Sequence, residues 1–119
     1  MTRSITQAAF RQEVLESPTP VLVSFWAPWC GLCRLVNPML TELQSNWEGQ
    51  LQLISINADD SLKLVSTYKL TTLPTVMLFN QGDVLCRLDQ FRDRQDFRTA
   101  SAELEAALEK IVRRYSYSR

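Results

Sequence analysis

The stretch Val21-Leu22-Val23-Ser24-Phe25-Trp26-Ala27-Pro28-Trp29-Cys30-Gly31-Leu32-Cys33-Arg34 decides the fold. Its opening, Val21 to Trp26, is almost continuously apolar, as a strand covered on both faces is. Beyond Pro28 the period changes. Leu35, Met39 and Leu43 recur at i, i+4 spacing with Leu32, Val36 and Leu40 beside them, so a helix runs from Cys30 to about Trp47, kinked but not ended by Pro38. A pair of cysteines therefore stands where a buried strand gives way to a helix.

Upstream, Thr6 to Glu16 reads as a short helix with Thr6 as N-cap and Phe10, Val14 and Leu15 on one face, stopped by Ser17-Pro18-Thr19-Pro20. Downstream, Leu51 to Asn57 is a strand. Asp60 or Ser61 then caps a short helix carrying Leu62, Leu64, Val65 and Tyr68, and Thr75 to Phe79 is another apolar strand. Asn80-Gln81-Gly82-Asp83 is a turn signal that returns Val84 to Leu88 antiparallel as a hairpin, so the sheet is mixed. Residues 89 to 98 alternate charge with Phe91 and Phe97 and lead into a last helix, striped by Leu104, Leu108, Ile111, Val112 and Tyr115 and frayed from Ser116 to Arg119. The reading is an α/β chain, a central mixed β-sheet flanked by helices on both faces, folded as a single domain over residues 1–119.

Composition narrows the chemistry. At 119 residues, 45% hydrophobic and 22% charged, the chain fits one globular domain and excludes two of full size. Its 13 Lys and Arg balance 13 Asp and Glu, which argues against a nucleic-acid footprint or a polybasic membrane anchor. The longest nearly apolar run, Val21 to Trp29, is broken by Ser24 and Pro28 and falls well short of the roughly 20 residues of a membrane span. The first dozen residues lack the apolar core of a secretory signal, so a reducing cytoplasm is the expected compartment. A monomer is the expected state. With no histidine there is no Ser-His or Cys-His nucleophilic pair, and Gly31, Gly49 and Gly82 are too dispersed to form a phosphate loop.

Cys30 and Cys33 carry the chemistry. A thiol at a helix N-terminus faces unpaired backbone N–H groups and the positive end of the dipole, both of which favour thiolate, so Cys30 is the expected nucleophile. Cys33, three residues on, lies on the same side of the first turn, close enough to close a small disulfide ring, and is the expected resolving thiol, the more buried of the pair. A structural disulfide is disfavoured by a reducing compartment. A zinc site needs four ligands where the chain offers three cysteines and no histidine, so no metal is expected.

Phe25-Trp26-Ala27-Pro28-Trp29-Cys30-Gly31-Leu32-Cys33-Arg34, Pro38 and Leu73-Pro74-Thr75 together resemble the thioredoxin family over nearly the whole chain. The resemblance implies a thioredoxin fold and a thiol–disulfide oxidoreductase with no bound cofactor. It implies that Pro74 follows a cis peptide bond and packs against the Cys30–Cys33 disulfide, that Leu73 offers its backbone to a substrate strand, and that Trp29 shields the disulfide and touches targets. The partners it implies are protein disulfide substrates and a separate thioredoxin reductase as electron donor.

The sequence also departs from the family. Leu32 replaces a proline and restores a backbone N–H near Cys30, which should stabilise the thiolate and make the pair less reducing. Ser24 stands where the family buries an Asp, and Ser55 where it keeps a partner Lys, so resolution by Cys33 should be slow. Asp89-Gln90-Phe91 replaces a glycine loop bordering the substrate groove. Arg92 to Arg98 looks like an insertion whose charges either solvate a loop or narrow the target range. Cys86 reads as a small buried hydrophobe, with a regulatory thiol as the alternative, and Trp26 and Trp47 as packing residues. Competing readings are a thioredoxin-fold binding module with little turnover, and a disulfide isomerase or oxidase of higher potential.

Overall fold

The computed structural model describes residues 2–117. Strands β1 (Thr2–Ser4), β2 (Val21–Trp26), β3 (Gln52–Asn57), β4 (Thr75–Asn80) and β5 (Asp83–Leu88) form one mixed sheet in the order β1-β3-β2-β4-β5. β1 and β2 run parallel to β3, β4 antiparallel to β2, and β5 antiparallel to β4. Helices α1 (Gly31–Asn46) and α3 (Arg94–Tyr117) cover one face, where Leu22, Leu53, Val76 and Leu78 meet Val36, Leu40, Leu104 and Leu108. Helix α2 (Leu62–Thr67) and the N-terminal turns cover the other, where Val23, Phe25, Ile54 and Phe79 meet Phe10, Val14 and Leu64. This double covering is why β2 and β4 are buried from end to end up to their last residue.

The hairpin is as read. Asn80 pairs with Asp83 across a two-residue loop in which both Gln81 (φ 53°) and Gly82 (φ 87°) are left-handed, the geometry whose twist suits a hairpin. A bulge follows: Leu78 pairs with Cys86 but Phe79 with Val84, leaving Leu85 as the extra residue of β5. Pro38 lies inside an unbroken α1, on its exposed side.

Several elements differ from the sequence reading. β1 was not anticipated. It is three residues with no apolar member, paired to Leu53–Ser55 at the sheet edge and steadied where Arg3 donates to Glu13 at 3.1 Å and to Gln52 at 2.9 Å. Thr6 to Glu16 is not an α-helix but a 3₁₀ turn, Gln7–Ala9, followed by a π turn, Arg11–Leu15, closed by Glu16 N–H on the Arg11 carbonyl; Phe10 and Val14 are buried as predicted. Thr6 and Ser61 occupy N-cap positions without a capping side-chain bond, while Asn57 accepts the Asp59 N–H at 2.9 Å at the head of the turn Ala58–Asp60.

From Arg94 to Arg98 the charged segment is helix, not loop. Asp93 accepts the Asp96 N–H at 2.9 Å as the cap of α3, and Phe97, 2% exposed, anchors that first turn in the core. The alternating charges belong to a helix start, where Asp96 also holds Arg92, and this pair keeps the Asp96 carboxyl below its ordinary value. α3 continues through Ser116 and Tyr117 instead of fraying there; residues 118–119 and the side chains of Val112 and Tyr115 lie outside the described residues. Among the described residues no helix is long and apolar enough to cross a membrane.

Candidate active site

β2 ends at Trp26, and the Cys30 N–H closes the following turn on the Ala27 carbonyl at 3.1 Å, which sets Cys30 at the N-cap of α1 with extended backbone (φ −88°, ψ 101°). Its Sγ accepts the Cys33 N–H at 3.1 Å, the task a Ser or Asp oxygen performs at most helix starts. The donor differs from the one singled out in the sequence. A cap side chain satisfies the second or third helical N–H, and here it is Cys33 in the third position, not Leu32 in the second. Cys30 and Cys33 are joined as a disulfide with Cα atoms 5.4 Å apart. Cys33 is the more buried, 1% exposed against 5% for Cys30.

The disulfide sits in a small apolar cluster with Ala27, against which Trp26, Leu32 and Leu73 pack. The Leu73–Pro74 peptide bond is cis, and Pro74 is buried at the head of β4. Trp29 is the opposite case, 70% exposed, its indole Nε1 donating to both carboxylate oxygens of Asp59 at 3.2 and 3.4 Å. Arg34 donates to the Pro28 carbonyl at 2.9 Å, fixing the loop from below. A Cβ built on Gly31 meets nothing within 4 Å, so the first turn has open space at that position.

The family model for thioredoxin matches residues 1–103. The chain belongs to the thioredoxin family. It is 44% identical over 78 residues to "Thioredoxin 1" of Nostoc sp., covering 66% of this chain and 73% of that one. To the thioredoxin of Pyropia yezoensis it is 42% identical over 79 residues, 66% and 74% of the two chains, and to that of Rickettsia felis 39% over 83 residues, 70% and 79%. With the Cys30–Cys33 pair closed across a Cys-x-x-Cys spacing, this is a thioredoxin-type thiol–disulfide oxidoreductase on a thioredoxin fold.

Ser24, 2% exposed, lies on the α1 face of β2 in register with Ser55 of β3, and its Oγ makes no hydrogen bond. The nearby Trp26 Nε1 is also buried without a partner. Leu32 is half-buried between the disulfide cluster and the main core. Cys86 is buried, 8% exposed, and its thiol is pushed above its ordinary value by burial and then by Glu103.

Gln90 is exposed with a left-handed φ of 61°, and its N–H donates to Thr72 Oγ1 at 3.2 Å. A β-carbon in that region costs about 1–2 kcal/mol, partly offset by the entropy a glycine loses on folding. Gln90→Gly should therefore raise the unfolding free energy by roughly 0.5–1 kcal/mol, read as a higher urea midpoint at unchanged slope. A lower midpoint would show that the Gln90 side chain contributes contacts outweighing the backbone strain.

Sequence reading missed Asp59 and Thr72. Each acts through a contact that only the fold creates; the Trp29–Asp59 pair spans 30 positions.

Proposed function

We propose that this chain is a reductase of protein disulfides, working in the cytoplasm as a monomer and a single thioredoxin unit over residues 1–119, with electrons supplied by a separate thioredoxin reductase. The observation that carries the reading is the Cys30 sulfur held at the N-cap of α1 and bonded to Cys33. In the reduced pair that sulfur meets the positive end of the helix dipole, which favours attack as thiolate. Cys30 attacks one sulfur of a target disulfide, that bond breaks, and the other target sulfur leaves as thiolate and takes a proton. Cys33, deprotonated, then attacks Cys30 Sγ in the mixed disulfide. The Cys30–Cys33 bond forms and the second target thiol is released, so the target gains the two electrons the pair loses.

In this reading Leu73 and Pro74 form the edge on which a target strand lies, with Trp29 and Gln90 at the rim. The packing of Leu73 on the disulfide cluster supports that placement. Gly31 and Leu32 tune the first turn, and Ser24, buried on the face of β2 that α1 covers, is a neutral group in place of a base.

The test is the midpoint potential of the pair, by alkylation after equilibration in graded dithiol buffers. Leu32 supplies an orphan N–H in the first turn that proline lacks, so the expected value is less negative than roughly −270 mV but below about −220 mV, and Leu32→Pro should shift it in the negative direction. A midpoint above about −220 mV would replace the reductase by an isomerase or oxidant. A positive shift in Leu32→Pro would remove Leu32 from the account.

A further inference from the structure

The short helix α2 ends in a way that its own sequence does not favour. Lys69 N–H bonds the Ser66 carbonyl and Leu70 N–H the Val65 carbonyl, a Schellman closure, and it puts Lys69 at φ 52° where such closures usually place glycine. The carbonyls of Tyr68 and Lys69 then project beyond the helix end. Arg87 of β5 takes both: Nη1 donates to Tyr68 O and Nη2 to Lys69 O at 3.1 Å, while Nε is held by Asp89 Oδ2 at 3.0 Å. The Tyr68 ring is itself fixed, packed edge-on against Phe79 at 5.7 Å and tilted against Phe10 at 5.8 Å. Five residues further on lies Leu73, and between them Thr72 Oγ1 takes the Gln90 N–H at 3.2 Å while the Thr72 carbonyl takes Thr75 Oγ1 at 2.7 Å. The segment from Tyr68 to Pro74 is thus pinned at one end to Arg87 of β5 and near the other to Gln90, just beyond that strand.

We propose that Arg87, oriented by Asp89, is a positioning residue for the substrate edge: by clamping the α2 carbonyls to β5 it fixes where the Leu73 backbone stands against the Cys30–Cys33 pair. A planar guanidinium suits this role because its fork reaches two carbonyls and a carboxylate at once, which a lysine ammonium on a flexible stem does not reproduce. The cation also faces the negative end of α2. The inference rests on the reading of Leu73 as the surface a protein substrate pairs with. It extends that reading to a residue which touches neither sulfur nor target.

The experiment compares wild type with Arg87→Met, which keeps the length of the stem without the donors, in reduction of insulin and of 2-hydroxyethyl disulfide with dithiothreitol as donor. Expected is an about fivefold rise in KM for insulin with kcat little changed, an unchanged rate on the small disulfide, and an unchanged midpoint potential of the Cys30/Cys33 pair. Lys69→Gly, which relieves the left-handed strain, is combined with Arg87→Met to recover stability; KM should stay raised in the double variant. An unchanged KM in Arg87→Met, a parallel loss on both substrates, or recovery of KM together with stability in the double variant overturns the proposal. If wild type fails to reduce insulin, the reductase reading falls and takes this inference with it. If wild type is active and Arg87→Met is indistinguishable from it, only the inference falls.

Discussion

Reduced Cys33→Ser protein mixed with an oxidised protein substrate should accumulate a covalent adduct through Cys30 that dithiothreitol releases, whereas Cys30→Ser should form none. Turnover should drop by at least about a thousandfold in both, since removing either member of a unit that works together costs nearly the whole rate. The asymmetry of the adduct, not the loss of rate, is the informative part. Cys30 caps α1 and receives the Cys33 N–H, while Cys33 faces the core. Cys86 does not confuse the result, because burial and Glu103 keep its thiol above the ordinary value and so protonated near neutral pH. Mass spectrometry of the adduct checks the assignment. An adduct through Cys33 in the Cys30→Ser protein would invert the roles, and full biological activity of the double serine variant would favour a binding module.

Ser24→Asp is expected to speed resolution of a preformed Cys30 mixed disulfide by about tenfold or more while lowering stability at neutral pH. Ser24 lies on the face of β2 that α1 covers, 2% exposed and with no partner for its hydroxyl, so a carboxyl there is desolvated and its pKa rises. A rise of about three units corresponds to roughly 4 kcal/mol. The sign follows from which state ionises first: below about pH 3.9 both folded and unfolded chains carry the neutral acid and the ionisation penalty is absent. As pH climbs past that value the unfolded chain ionises and the folded one does not, so the variant loses stability relative to wild type until the folded pKa is reached. The expected gain in rate comes from that same carboxyl accepting the Cys33 proton. Urea melts at pH 4 and pH 7 read the stability, and single-turnover decay of the mixed disulfide reads the rate; an unchanged rate would show that another group moves the proton.

The parts of this molecule that could be read from its sequence are those fixed by local pattern. The apolar run of β2, the i, i+4 stripe of α1 and the Asn80-Gln81-Gly82-Asp83 turn each name their structure, and the cysteine pair at the β2–α1 junction names the site. β1 was illegible because Thr2-Arg3-Ser4 has no alternation to detect; its backbone pairing with β3 holds it at the edge. Arg92 to Arg98 was misread because alternating charge suggests a loop, although Asp93 three residues before Asp96 and the apolar Phe97 are the marks of a capped amphipathic helix. Arg87 was beyond reach. Its carbonyl partners lie 19 and 18 positions away, and nothing local to Arg87-Leu88-Asp89 foretells them.

The two rims of the sheet are blunted by different means, β1 by being three residues long and β5 by the bulge at Leu85. Short, kinked or charged borders are poor templates for a stray strand. A protein that meets partly unfolded clients with bare backbone is exposed to being recruited into their aggregates. Here neither border invites such pairing. In the function proposed above, strand-like contact falls instead at Leu73, which packs against the disulfide cluster, so the architecture that resists co-aggregation would also set the address at which a client docks.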